Sequence, residues 1–154
     1  DSTAKLVRTV AGIADRCIVS GHDWRAVSRL AEAVPGLRRG FDRCADDTLD
    51  SLRDDKDCRA FIADALARAP EAETLYLDHG IVLAAAEMGV DLIAPCHAAG
   101  KTVDAWTLDP NHPRAAESLW QLVALRADQI TTNAPDALES LFESIATPRS
   151  ALAR

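Results

Sequence analysis

The sequence predicts an α/β protein built on a parallel sheet. Three observations carry this. Short β-branched or apolar runs alternate with longer runs that repeat apolar residues at helical spacing. The order βαβαβαβαβα favours parallel strands with helical crossovers, and crossovers of this length are right-handed. A chain of 154 residues with 48% hydrophobic and 27% charged residues suits one ordinary globular domain. Two architectures fit that order: an open doubly wound sheet, or part of a (β/α) barrel. In both, ligands bind at the C-terminal ends of the strands.

The elements follow in turn. Residues 17–20 (Cys-Ile-Val-Ser) read as the first strand. A helix over 24–34 places Val27, Leu30, Ala31 and Val34 on one face, and Pro35-Gly36 stops it. A weaker strand spans 37–41. A long helix is expected over 46–69, with Leu49, Leu52, Phe61, Ile62, Ala65 and Leu66 as its apolar positions and Pro70 at its end. Residues 74–77 form the third strand. The stretch 81–99 is helical in composition, interrupted by Gly89 and Pro95, although 90–94 also suits a buried strand. Gly100 caps this region, and a strand covers 102–107. A helix over 113–127 carries Leu119, Leu122, Val123 and Leu125, with Trp120 expected in its packing. Residues 128–132 form the last strand, 133–135 turn, and Pro135-Asp136 starts a helix over 136–145. Residues 147–154 are expected to be a flexible tail to a single domain over 1–146.

Composition excludes several functions. With Lys and Arg giving 17 positive charges and Asp and Glu 24 negative ones, the net charge is −7. That sign disfavours nucleic acid and anionic membranes as partners. No apolar run approaches the roughly 20 residues of a membrane span. No signal peptide is visible at the start, so a cytoplasmic setting is expected. The four cysteines lack a C-x-x-C pair and read as reduced, mostly buried thiols, with Cys44–Cys58 the one spacing that suits a closed loop. H-x-H, H-E-x-x-H, G-x-S-x-G and the glycine-rich phosphate loops are all missing. No metal site made by this chain alone is expected.

The strand ends are where function should lie. They carry Gly21-His22-Asp23-Trp24, Phe41-Asp42-Arg43, Asp78-His79, Trp106-Thr107-Leu108-Asp109 and Thr132-Asn133. Asp23, Asp42 and Asn133 also suit helix caps. His97 is expected to be a packed or surface residue and His112 a solvated one. Trp106, at a strand's exit and followed by Thr and an acidic loop, suits the wall of a pocket for an alcohol or sugar-like group.

The last third is more specific. The run from His97 through Gly100, Val103, Trp106-Thr107 and Asp109 leads through one helix to Ala127-Asp128-Gln129-Ile130-Thr131-Thr132-Asn133-Ala134-Pro135. It resembles the C-terminal signature of glycerophosphodiester phosphodiesterases, H-x-x-G-x-x-V-x-x-W-T-x-[ND] followed by G-[VA]-D-x-I-x-T-[DN]-x-P. Ile18-Val19-Ser20-Gly21-His22-Asp23 is similar to that family's I-x-S-F-[DN] strand, with His22 in place of the aromatic. Ala33-Val34-Pro35-Gly36-Leu37 is similar to the step that follows it. The likeness covers roughly 17–145.

The resemblance implies a TIM-barrel type fold of which this chain is a C-terminal half-barrel of about four to five βα units. It implies hydrolysis of a glycerophosphodiester to an alcohol and glycerol 3-phosphate, assisted by a divalent cation (Mg²⁺ or Ca²⁺). The family's H-R-G, E-x-D, H-D and E-x-K runs supply its acid/base histidines, metal carboxylates and lysine; none has a counterpart here, since the one H-D dipeptide, His22-Asp23, falls at the later I-x-S-F-[DN] strand and takes no catalytic role. No catalytic residue is therefore assigned to this chain, and alone it is expected to be inactive. Trp106, His22, Asp78 and His79 are the expected substrate-side residues. A closed barrel needs about 250 residues. The expected partners are thus a missing N-terminal half or a second copy, alongside the small-molecule substrate. Alternatively, the chain is a non-catalytic half-barrel module that oligomerises or binds a partner. In either case a half-barrel standing alone is expected to leave two open edges and a bare apolar face.

Overall fold

The computed structural model describes residues 2–146; the tail expected over 147–154 lies outside the described residues. Helix α1 (Ser2–Val10) and a 3-10 turn (Ala14–Arg16) lead into β1 (Ile18–Gly21). Then follow α2 (Trp24–Ala33), β2 (Arg38–Asp42), α3 (Thr48–Ser51), α4 (Asp55–Arg68), β3 (Thr74–Asp78), α5 (His79–Glu87), α6 (Ile93–Ala98), β4 (Thr102–Trp106), α7 (Ala115–Ala124), β5 (Gln129–Ile130) and α8 (Pro135–Ala146).

The five strands are parallel and lie in sequence order, β1-β2-β3-β4-β5. That order settles the architecture. Right-handed crossovers that always step in the same direction put every helix on one face. A doubly wound sheet reverses direction and covers both. The fold is therefore of the (β/α)-barrel type, open between β1 and β5.

Strand alternation divides the sheet cleanly. Phe41, Leu75, Leu77, Val103 and Ala105 face the helices and are buried in the main core with Ile62, Val82, Ile93 and Leu122. The opposite face carries Ile18, Ser20, Arg38, Gly40, Asp42, Thr74, Tyr76, Asp78, Thr102, Asp104, Trp106 and Gln129. The expectation of a bare apolar inner face is thus wrong: apart from Ile18 at the edge and the Trp106 ring, that face is mainly polar. Several of its groups pair with one another. Thr74 Oγ1 lies 2.8 Å from Thr102 Oγ1, and the Thr131 hydroxyl donates to Asp104 at 2.9 and 3.0 Å.

Local chemistry explains where elements depart from the periodic pattern. The helix expected over 46–69 breaks in two because Asp54 turns extended and its carboxylate accepts from Asp57 N–H at 2.8 Å, starting α4 afresh. Residues 90–94 are not a strand. Asp91 accepts from the N–H groups of Ile93 and Ala94 at 2.8 and 3.0 Å and starts α6, while Gly89, at φ +77°, ends the preceding helical stretch. The last strand shrinks to two residues. Trp120 is 58% exposed rather than packed. At the N-terminal end of the sheet His97 Nε2 lies 2.9 Å from Asp128 Oδ2, which also accepts from Val103 N–H at 2.8 Å. All four cysteines are unbridged, with Cys17 half-buried and the others buried. No helix among the described residues is long and apolar enough to cross a membrane.

Candidate functional site

The C-terminal ends of β1 to β4 surround a cleft of about 770 Å³. Three of the four residues singled out from the sequence meet there: His22 after β1, Asp78 at the end of β3 and Trp106 at the end of β4. The fourth, His79, does not. It opens α5 and faces a separate cleft of about 430 Å³ together with Thr107, Asp109, His112 and Arg114. Its Nδ1 lies 3.4 Å from the Trp106 carbonyl oxygen, so it touches the first cleft only through that backbone.

Asp42, Arg43, Cys44 and Arg68 also line the main cleft, and sequence reading gave none of them a ligand role. Asp42 was expected to be a helix cap. Instead it accepts from Cys44 N–H at 3.0 Å in a tight turn after β2. Its neighbour is His22, whose Nδ1 lies 3.2 Å from the Asp42 carbonyl oxygen and whose Nε2 lies 3.6 Å from Asp42 Oδ2. The histidine is largely exposed and the carboxylate is not. Burial raises the Asp42 carboxyl above its ordinary value; the Cys44 N–H and His22 oppose this, and the charge of Asp78 adds to it.

Asp78 caps α5, accepting from Gly80 N–H at 2.7 Å and Ile81 N–H at 3.3 Å through Oδ1. Asp23 caps α2 as expected, through Arg25 and Ala26 N–H. At the last turn the side chain that accepts from Ala134 N–H is Thr132, not Asn133. The Cys44 thiol takes Asp78 N–H at 3.2 Å. Burial pushes that thiol up to about 12, which rules it out as a nucleophile at neutral pH.

The cationic wall is built behind β2. Arg43 Nε donates to Asp64 Oδ2 at 2.8 Å, and Arg68 Nε donates to Asp64 Oδ1 at 3.0 Å. Two guanidinium groups thus share one carboxylate, and Arg43 holds that carboxyl below its usual range. Arg43 also lies over the Phe61 ring, 5.8 Å from its centroid. On the opposite side, Trp106 Nε1 is buried and has no hydrogen-bond partner. Leaving such a donor unmet costs about 1–3 kcal/mol.

The cleft therefore offers guanidinium donors at one wall, carboxylate acceptors at another and an indole between strands β3 and β5. This suits a hydroxyl-bearing anionic ligand. It does not suit a resident cation. Among the described residues no three His, Cys, Asp or Glu side chains converge on a point that could hold a metal ion. The Mg²⁺ or Ca²⁺ is expected of the complete enzyme rather than of this chain, and the described residues offer it no ligand set.

The fold is shared with a solved structure. A crystal structure described as a "Putative glycerophosphoryl diester phosphodiesterase" from Silicibacter pomeroyi DSS-3 aligns with a TM-score of 0.59 at 16% sequence identity, covering 93% of this chain and 44% of that one. The chain thus spans less than half the length of that structure and has the fold of the part it matches. No family model matches the sequence, and no curated protein matches it.

Proposed function

We propose that this chain is the substrate-side part of a phosphoric diester hydrolase of the glycerophosphodiester phosphodiesterase type. The complete reaction converts a glycerophosphodiester and water to an alcohol and glycerol 3-phosphate. The observation that carries the reading is the cleft at the strand ends, where Arg43 and Arg68 line one wall and Asp42, Asp78 and the Trp106 ring line the others. In this reading Arg43 and Arg68 face the phosphodiester, Asp42 and Asp78 accept from glycerol hydroxyls, His22 stands at the rim and Trp106 walls the alcohol side. His79 supports the β4 exit from behind. The acid/base groups come from elsewhere, so the chain binds and does not turn over. The unbridged thiols support a reducing, cytoplasmic setting.

Equilibrium binding of glycerophosphocholine tests this. Saturable binding is expected, with no release of choline. Arg68→Gln removes one guanidinium of the cationic wall, and one charge-assisted hydrogen bond of about 1.5 kcal/mol predicts roughly tenfold weaker binding. Turnover by the chain alone, or an Arg68→Gln variant that binds as tightly as the parent, would overturn the assignment.

The second reading, a non-catalytic half-barrel module, is favoured by the inner face. There Thr74 pairs with Thr102 and Asp104 with Thr131, so those groups are met without a ligand.

A further inference from the structure

The sheet ends in two open strand edges, and an apolar groove runs beside each. The β1 groove, about 410 Å³, is lined by Val7, Val10, Ile18, Leu30, Val34 and Leu37. The β5 groove, about 480 Å³, is lined by Leu119, Val123, Ile130, Leu138, Glu139 and Phe142. Phe142 is 45% exposed and Val123 38%. The outermost helices carry opposite charge. Helix α1 has Lys5 and Arg8 and no acidic residue; α8 has Asp136, Glu139 and Glu143 and no basic one. Lys5, Arg8, Asp136 and Glu139 are all exposed.

We propose that the β5–α8 end of one copy docks on the β1–α1 end of a second copy, and the reverse, giving a closed two-fold dimer. Three arguments support a second copy as the occupant. The charges match: an acidic, apolar-striped helix meets a basic one, which steers the encounter and fixes its register. The direction matches, because every strand is parallel and β5 can continue into β1 of the next copy with the helices still on the same side. The amount of chain also matches. One copy corresponds to 44% of the Silicibacter pomeroyi structure, so two supply nearly as much βα chain as that molecule holds. A head-to-tail contact made twice about one axis closes a ring and leaves neither edge exposed. The inference does not depend on the phosphodiester reading.

The test is the solution mass of the full chain, by light scattering and sedimentation. A dimer of twice 16.5 kDa is expected, weakened by high salt. Two double variants, Asp136→Lys/Glu139→Lys and Lys5→Glu/Arg8→Glu, should each be monomeric, because like charges then meet at both contacts. Mixed in equal amounts they should recover a dimer holding one of each, since both contacts again join unlike charges. This recovery also shows that both variants fold. A monomeric parent chain overturns the proposal. So do an open-ended polymer, a dimer that either double variant leaves intact, or a mixture that stays monomeric.

Discussion

Gly40 is the position where the inner face is most tightly specified. It lies buried in β2, in register with Ser20 and Thr74, and the Tyr76 ring lies over it. A Cβ at Gly40 would stand 2.5 Å from Tyr76 Cε2, 2.9 Å from Ser20 Cβ and 3.1 Å from Tyr76 Cδ2. Carbon atoms rest about 3.5–4.0 Å apart, so Gly40→Ala must lift the ring by roughly 1 Å. Overpacking of this kind costs about 1–3 kcal/mol. Removing glycine's freedom in the unfolded chain returns about 0.4–1 kcal/mol. The net is a loss of about 1 kcal/mol, or roughly 2–4 °C in melting temperature for a chain of this size.

Thermal unfolding by circular dichroism reads the Gly40→Ala loss, and Tyr76→Leu supplies the control. In that background Gly40→Ala should cost at least about 1 kcal/mol less, because the clash is gone. A second readout is selective, since Tyr76 is the chain's single tyrosine. Burial, with the charge of Asp104, raises its phenol above the ordinary 10.0. In Gly40→Ala the displaced ring should titrate closer to that value. A Gly40→Ala chain that melts at or above the parent temperature would refute this account of the inner face.

Three further predictions concern other groups. Burial raises the Asp104 carboxyl, with the Thr131 hydroxyl opposing; its charge therefore costs stability above the unfolded value of 3.8 and nothing well below it. Asp104→Asn should raise the melting temperature at neutral pH, with the gain fading as pH falls toward 3.8. Asp128 has the opposite sign: burial pushes its carboxyl up, but hydrogen bonds from His97 and Val103 N–H more than offset this and hold it low. Its stabilisation is present above 3.8 and lost as pH falls through the lower folded value. Asp128→Ala should therefore cost about 1–3 kcal/mol at neutral pH, and less in acid. Finally, burial raises the Cys44 and Cys96 thiols to about 12 and Cys58 is also buried, so a thiol reagent should label Cys17 alone in the folded chain and all four cysteines after denaturation; rapid labelling of Cys44 in the native state would contradict the cleft geometry.

Much of this fold is legible in the sequence, because the βα order and the helix-stopping Pro35-Gly36 and Pro70 act locally. Capping competition is less legible. Between 46 and 57 the chain offers Asp46, Asp47, Asp50, Asp54, Asp55 and Asp57, and periodicity cannot tell which one restarts the helix; Asp54 does, through one side-chain hydrogen bond. The same holds for Asp91. The site residues divide for another local reason. Asp78 closes a strand and His79 opens a helix, so these chain neighbours point to different clefts although the sequence presents them as one pair. Arg68 is illegible as a site residue. It joins the cleft only because α4 returns beside β2, where Asp64 holds it next to Arg43.

The polarity of the inner face was legible and bears on both proposals. Thr74-Leu75-Tyr76-Leu77-Asp78 and Thr102-Val103-Asp104-Ala105-Trp106 alternate strictly. Period-two alternation means one face on a core and one against polar surroundings; a strand buried on both faces reads instead as continuous apolar residues. An apolar barrel interior was therefore disfavoured by the strands themselves. The consequence is structural as well as functional. The inner face requires no apolar cover, so what the half-barrel leaves unsatisfied is confined to the edges at β1 and β5 and the grooves beside them. The same alternation that puts Asp42, Asp78 and Trp106 at a wet cleft leaves the burial of apolar surface to the two ends of the sheet, where α1 and α8 carry their opposite charges.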